Sequence, residues 1–113
     1  MPGYMLLLYR SHGQFDGLTP DEMGRVIAEY RTWADRMRSE GRFVGGERLA
    51  NDVRSVSETA GRSVVTDGPY AESKEIVGGY FSITAASIDE ACAVARGCPS
   101  LKFGGRVEVR QIA

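Results

Sequence analysis

The sequence predicts an α+β domain: strand, helix, strand, an added hairpin, then strand, helix, strand, with both helices on one face of an antiparallel sheet. Three observations carry this. Two helix-start signatures open at Thr19 and Ser87, apolar or alternating strand runs flank each helix, and a turn at Thr59-Ala60-Gly61-Arg62 separates two short runs in the middle.

Residues Tyr4 to Tyr9 are continuously apolar between polar flanks, which predicts a strand buried on both faces. A loop, Ser11 to Leu18, holds two glycines and the single histidine. In Thr19-Pro20-Asp21-Glu22, Thr19 can cap the first free amides, Pro20 suits the first helical position and Glu22 can close a capping box. Met23, Val26, Ile27, Tyr30, Ala34 and Met37 then form one helical stripe, with Arg25, Glu29, Arg36 and Arg38 opposite and Gly41 as terminator. Tyr30 and Trp33 at helical spacing read as packing rather than a cofactor box.

Arg42 to Leu49 reads as the second strand, and Arg54–Ser57 with Ser63–Thr66 as the hairpin. A dense polar loop, Asp67 to Glu75, follows. Gly79 to Ala85 alternates as a strand should. Ser87-Ile88-Asp89-Glu90 opens a short helix that Gly97 ends, with Pro99 preventing its resumption. The last strand, Arg106 to Ile112, sets Arg106, Glu108 and Arg110 on one face and Val107 and Val109 on the other. This order is that of a ferredoxin-like sheet. Two helices cover only one face, yet Met5, Leu6, Leu7 and Leu8 place apolar groups on both. A second copy of the sheet, giving a homodimer, would cover the other face; an extended segment of the same chain is the competing answer.

The 113 residues fit one domain, 1–113, with a modest core. Fourteen lysines and arginines against fifteen acids supply no basic footprint for nucleic acid. Cys92 and Cys98 follow no zinc or C-x-x-C spacing, so reduced thiols and no metal or cofactor are expected. No G-x-G-x-x-G precedes a helix. The apolar run near the amino terminus is too short for a signal or a membrane span, which makes a cytoplasmic protein the expectation.

Asp67-Gly68-Pro69-Tyr70-Ala71-Glu72-Ser73-Lys74-Glu75 resembles the D-G-P-F-x-E-T-K-E signature of the DGPF proteins within the YCII-related superfamily. Tyr4-Met5-Leu6-Leu7-Leu8-Tyr9, Gly45-Gly46-Glu47, Gly78-Gly79-Tyr80, Cys98-Pro99 and Val107-Glu108-Val109-Arg110 resemble the family pattern in the same order. Tyr70, Ser73 and Gln111 depart from it, standing where phenylalanine, threonine and proline are usual. The resemblance implies a dimeric α+β barrel, but no reaction. It also implies a regulatory alternative, since DGPF proteins are often encoded beside extracytoplasmic-function sigma factors, which makes such a factor a candidate partner.

Two readings of the polar loop stay open: a solvated linker with local ion pairs, or a loop that brings Asp67 and Glu72 to a cleft for acid–base work on a small organic ligand. In the second reading Tyr70 and Lys74 bind the ligand. Related YCII proteins are proposed to use a His–Asp pair. His12 is the only histidine and does not match that motif, but it joins Asp67 and Glu72 as a catalytic candidate. Glu47 and Arg110 are candidates to pair in the barrel, structurally or as a ligand clamp; an edge strand whose charges face water is the equal alternative. The pairs Gly45-Gly46, Gly78-Gly79 and Gly104-Gly105 fit either sheet bulges or close approach of a ligand.

Overall fold

The computed structural model of the chain describes residues 1–68 and 75–113. Its elements are β1 (Gly3–Ser11), α1 (Pro20–Ser39), β2 (Phe43–Arg48), β3 (Arg54–Thr59), β4 (Arg62–Asp67), β5 (Glu75–Thr84), α2 (Ile88–Ala95), a 3-10 helix (Pro99–Phe103) and β6 (Arg106–Gln111). One antiparallel sheet has the order β2-β5-β1-β6, and β3 and β4 form a separate two-stranded sheet. The α+β class and the strand–helix order expected from the sequence are what is observed.

Local chemistry explains the element ends. Thr19 accepts from the Glu22 amide and Glu22 returns a bond to the Thr19 amide, a complete capping box with Pro20 inside it. Gly41 takes φ 72° just past the helix, a conformation that glycine adopts without a Cβ penalty. Ser87 caps α2 in the same way, but the Glu90 carboxylate turns aside to the Ala86 amide and to Arg42, so only half of the expected box forms. Ala60 and Gly61 both have positive φ, as the two-residue turn between β3 and β4 requires.

Strands β1, β3 and β4 each run slightly beyond the sequence reading, and two differences are larger. Strand β5 begins at Glu75 rather than Gly79, because Glu75, Ile76 and Val77 pair with Ser11, Arg10 and Tyr9 of β1. Pro99 does not simply stop α2: it opens a 3-10 helix, where its missing amide would be unpaired in any case.

Alternation divides the sheet into two faces. Tyr4, Leu6 and Leu8 share one face with Phe81 and Ile83 of β5 and with Val107 and Val109 of β6. Trp33 and Met37 of α1 and Ala91 and Ala95 of α2 close over them as the core. The Trp33 and Phe81 rings meet edge to face at 4.9 Å. The other face carries Met5, Leu7, Tyr9, Tyr80 and Ser82, all half-buried, so β1 is not buried equally on its two faces. With the valines of β6 on the helices, Arg106, Glu108 and Arg110 lie on that second face of an edge strand.

The hairpin stands away from this body. The radius of gyration is 15.8 Å, against about 13 Å for a compact chain of this length. Val56 and Val65 on the hairpin are 70% and 62% exposed.

Candidate functional site

A cleft of about 680 Å³ opens between α1 and the sheet, at the end where β1 finishes and β5 begins. That volume is in the range of pockets for small organic molecules. Met23, Ile27 and Tyr30, which the sequence placed on the apolar stripe of α1, are only half-buried in the fold and form one wall. Phe43 and Phe81 from the sheet and Phe103 from the 3-10 helix supply much of the remaining apolar lining. Gln14 donates to the Phe103 carbonyl, which ties the β1–α1 loop to the 3-10 helix at the cleft edge.

Glycines shape the floor. Between Leu8 and Tyr9 the β1–β5 register shifts by one residue, leaving Gly78 as an extra residue in β5. A Cβ on Gly78 would come within 2.6 Å of Arg10 Nε, so the bulged glycine makes room for the Arg10 side chain across the strand. On Gly46 a Cβ would meet the Tyr80 carbonyl at 2.7 Å, and on Gly105 the Tyr9 carbonyl at 2.5 Å. The close approach at these glycines is therefore by neighbouring protein atoms.

Arg10 is the half-buried cation of the cleft. One terminal nitrogen donates to Asn51 Oδ1 at 2.6 Å and the other to the Ser11 carbonyl at 3.3 Å, while the guanidinium sits 5.7 Å from the centre of the Phe15 ring. Tyr30 places its hydroxyl 2.7 Å from Ser100 Oγ, and Ser100 is 5% exposed. Burial pushes the Tyr30 phenol above its ordinary pKa, against the opposing effects of the Ser100 hydrogen bond and the nearby Arg10 charge. The buried Cys98 thiol is likewise raised by burial, with hydrogen bonds from Ser100 opposing. Both cysteines are free thiols.

Arg31 of α1 and Arg48 of β2 border the same cleft, and among the described residues neither has a hydrogen-bond or ion-pair partner. Asp16 also lines it. Glu47 borders the cleft as well, but it pairs with Tyr80, so alternation sends its side chain to the face of Leu7 and away from α1.

Of the residues singled out from sequence, Tyr70, Glu72 and Lys74 lie outside the described residues. Asp67 is at the open end of the hairpin, its side chain 90% exposed and 2.9 Å from Arg54 Nε. His12 is exposed in the loop after β1. Neither lines the cleft, although Ala50 and Asn51, just before the hairpin, do. Glu47 and Arg110 sit on opposite edge strands with β5 and β1 between them, about 14 Å apart at the ordinary strand spacing. They do not pair within one chain; Arg110 approaches Glu108 at 3.9 Å. Arg10, Arg31, Arg48 and Ser100 are cleft residues that no sequence motif singled out. The one available signal was Arg10 itself, a charge in register with the buried positions Leu6 and Leu8. Among the described residues, no cluster of histidine, cysteine and carboxylate side chains could hold a metal ion, and no helix is long and apolar enough to cross a membrane.

A family model for the YCII-related domain matches residues 3–113. The chain belongs to the YCII-related family. This YCII-related chain is also 29% identical, over 113 residues, to an uncharacterized protein of Rhizobium meliloti (strain 1021), an alignment covering 97% of this chain and 91% of that protein. The matched region contains the whole four-stranded sheet, both helices and every residue that lines the cleft. The cleft is thus part of the YCII-related domain itself and not of an appended segment.

Proposed function

We propose that this YCII-related protein binds a small organic molecule in the cleft between α1 and the sheet, and that it does so as a homodimer. The observation that carries the binding reading is the cleft's construction. It is largely apolar, of ligand size, and holds a few oriented polar groups: Arg10, Tyr30 and Ser100. The half-buried Met5, Leu7 and Tyr80 on the uncovered sheet face support the homodimer, since a second sheet would bury them. The Asp67–Glu75 signature supports placement in the DGPF branch, and cytoplasmic residence remains part of the proposal.

Acid–base chemistry by Asp67, Glu72 and His12 is the enzymatic extension of this reading, with Tyr70 and Lys74 as ligand contacts; Glu47 and Arg110, on the other sheet face, would contact a ligand only between the sheets of the homodimer. Chain connectivity supports it in part, because Asp67 pairs with Arg54, three residues beyond the cleft-lining Asn51. A thermal-shift screen of metabolites, followed by turnover assays on the hits, tests both levels. Stabilising hits that lose this effect on Ile27→Trp support the cleft. Unchanged turnover in both Asp67→Asn and Glu72→Gln would remove the acid–base extension.

A second reading draws on the hairpin. Its exposed Val56 and Val65 suit a protein partner, and a regulatory module associated with an extracytoplasmic-function sigma factor is the partner we propose in that case. Co-purification that is abolished by Val56→Asp with Val65→Asp is the expected result; co-purification unaffected by that pair of changes contradicts it.

A further inference from the structure

The described cleft is unequal in charge, and the inequality names a ligand class. Three arginines line it: Arg10 beside the β-bulge, Arg31 on α1 and Arg48 on β2. Asp16 is the single acid whose side chain the register does not turn away, because Glu47 shares the face of Tyr80 and Leu7. Neither Arg31 nor Arg48 has a hydrogen-bond or ion-pair partner among the described residues, which therefore place two such cations at one opening.

Arg10 differs from these two in being held. The bulge at Gly78 lets its stem lie across β5, Asn51 Oδ1 and the Ser11 carbonyl each take one of its protons, and Phe15 lies by its plane. A guanidinium has five donors, and these two bonds leave three. The Nε–H and one remaining N–H can meet both oxygens of a carboxylate. Tyr30 offers a hydroxyl to the same space, already polarised by Ser100 Oγ at 2.7 Å. With Ser100 as the donor in the bond they share, the Tyr30 hydroxyl keeps its own proton for a carboxylate, and the Arg10 charge is near enough to affect it.

We infer that the ligand is a small organic anion, an aromatic or similarly flat apolar body bearing a carboxylate, with the carboxylate on Arg10 and Tyr30 and the body against Ile27, Phe43 and Phe81. Arg31 and Arg48 act at the opening, raising the local concentration of anions. A free inorganic anion would leave most of a 680 Å³ apolar-walled cleft unfilled. An uncharged ligand would take water from the Arg10 guanidinium without setting a charge against it, because its partners Asn51, Ser11 and Phe15 are all neutral. This inference rests on the cleft being the binding site, as proposed above.

The test uses benzoate, phenylacetate, phenylpyruvate and indole-3-acetate, each with its uncharged amide, titrated into the full chain by NMR and calorimetry. At least one carboxylate is expected to bind about tenfold more tightly than its amide and to shift the amide signals of Ile27, Phe81 and Gly79. Arg10→Met, checked for folding by circular dichroism, is expected to bring acid and amide within about twofold. Arg10→Lys, which keeps the charge but not the paired donors, is expected to fall between. Equal binding of acids and amides in the cleft, unchanged in Arg10→Met, would overturn the anion assignment and leave the cleft as the site. A preference for acids that survives in both Arg10 variants overturns the role of Arg10. Shifts confined to the hairpin or the second sheet face, or no binding by any probe, would overturn the cleft reading and this inference with it.

Discussion

The Tyr30 hydroxyl stands 2.7 Å from Ser100 Oγ, linking α1 to the 3-10 helix across the wall of the cleft. Ser100 is buried, so its oxygen has little water to turn to if Tyr30 is withdrawn. Tyr30→Phe is therefore expected to cost about 1–2 kcal/mol in urea unfolding. Adding Ser100→Ala should recover part of that loss, because the second change removes the stranded group. Full additivity of the two changes would mean that the hydroxyls do not depend on each other.

Gly78→Ala probes the bulge and Arg10 together. A Cβ at that position falls 2.6 Å from Arg10 Nε and 2.9 Å from Cδ, so the stem must shift and the Asn51 bond must loosen. The expected outcome is a loss of about 1–3 kcal/mol in stability. Carboxylate binding should weaken more than binding of the matching amide. If both affinities are unchanged, Arg10 does not need the groove that Gly78 leaves.

Much of the fold could be read from local chemistry. Thr19, Glu22 and Gly41 bracket α1 where the sequence indicates, and the Ala60-Gly61 turn closes the hairpin. Alternation along β6 separated Val107 and Val109 from the charges but did not say which face meets the helices; the valines do. The cleft was harder to see because its polar groups come from β1, α1 and the 3-10 helix, far apart in the chain. Its apolar wall gave the same periodic signal as the core: Met23 and Ile27 carry the pattern of Val26 and Ala34, but are left half-buried where they line the cleft. The start of β5 was hidden for a different reason. Glu75 sits at the end of a charged run and its pairing with Ser11 is long-range, so composition alone marked it as loop.

The Arg42–Glu90 pair makes a prediction about acid. Arg42 donates to Glu90 Oε1 at 3.0 Å, and this bond, followed by that from the Ala86 amide, holds the Glu90 carboxyl below its ordinary value of 4.5. A carboxyl whose folded pKa is depressed stabilises the fold above its unfolded pKa, and that contribution is lost as pH falls through the folded value. The native chain should accordingly lose thermal stability as pH drops below about 4.5. Glu90→Gln should be less stable at pH 7 and show a shallower decline in acid. Identical slopes for the two proteins between pH 6 and pH 3 would show that Glu90 does not contribute.

Assembly is testable on the uncovered face. Leu7→Glu places a charge among Met5, Tyr80 and Ser82, in a position that does not touch the helix-side core. Light scattering after size exclusion should give a dimer for the native chain and a monomer for Leu7→Glu, with α-helix content unchanged by circular dichroism. A native monomer at micromolar concentration contradicts the homodimer.

The central claim, that the cleft between α1 and the sheet is the binding site, is tested most directly by a crystal structure of the chain with the tightest-binding aromatic carboxylate. Ligand density is expected between Ile27 and Phe81, with the carboxylate within hydrogen-bonding distance of Arg10 and Tyr30. Density on the hairpin or the second sheet face, with the cleft empty, would contradict it.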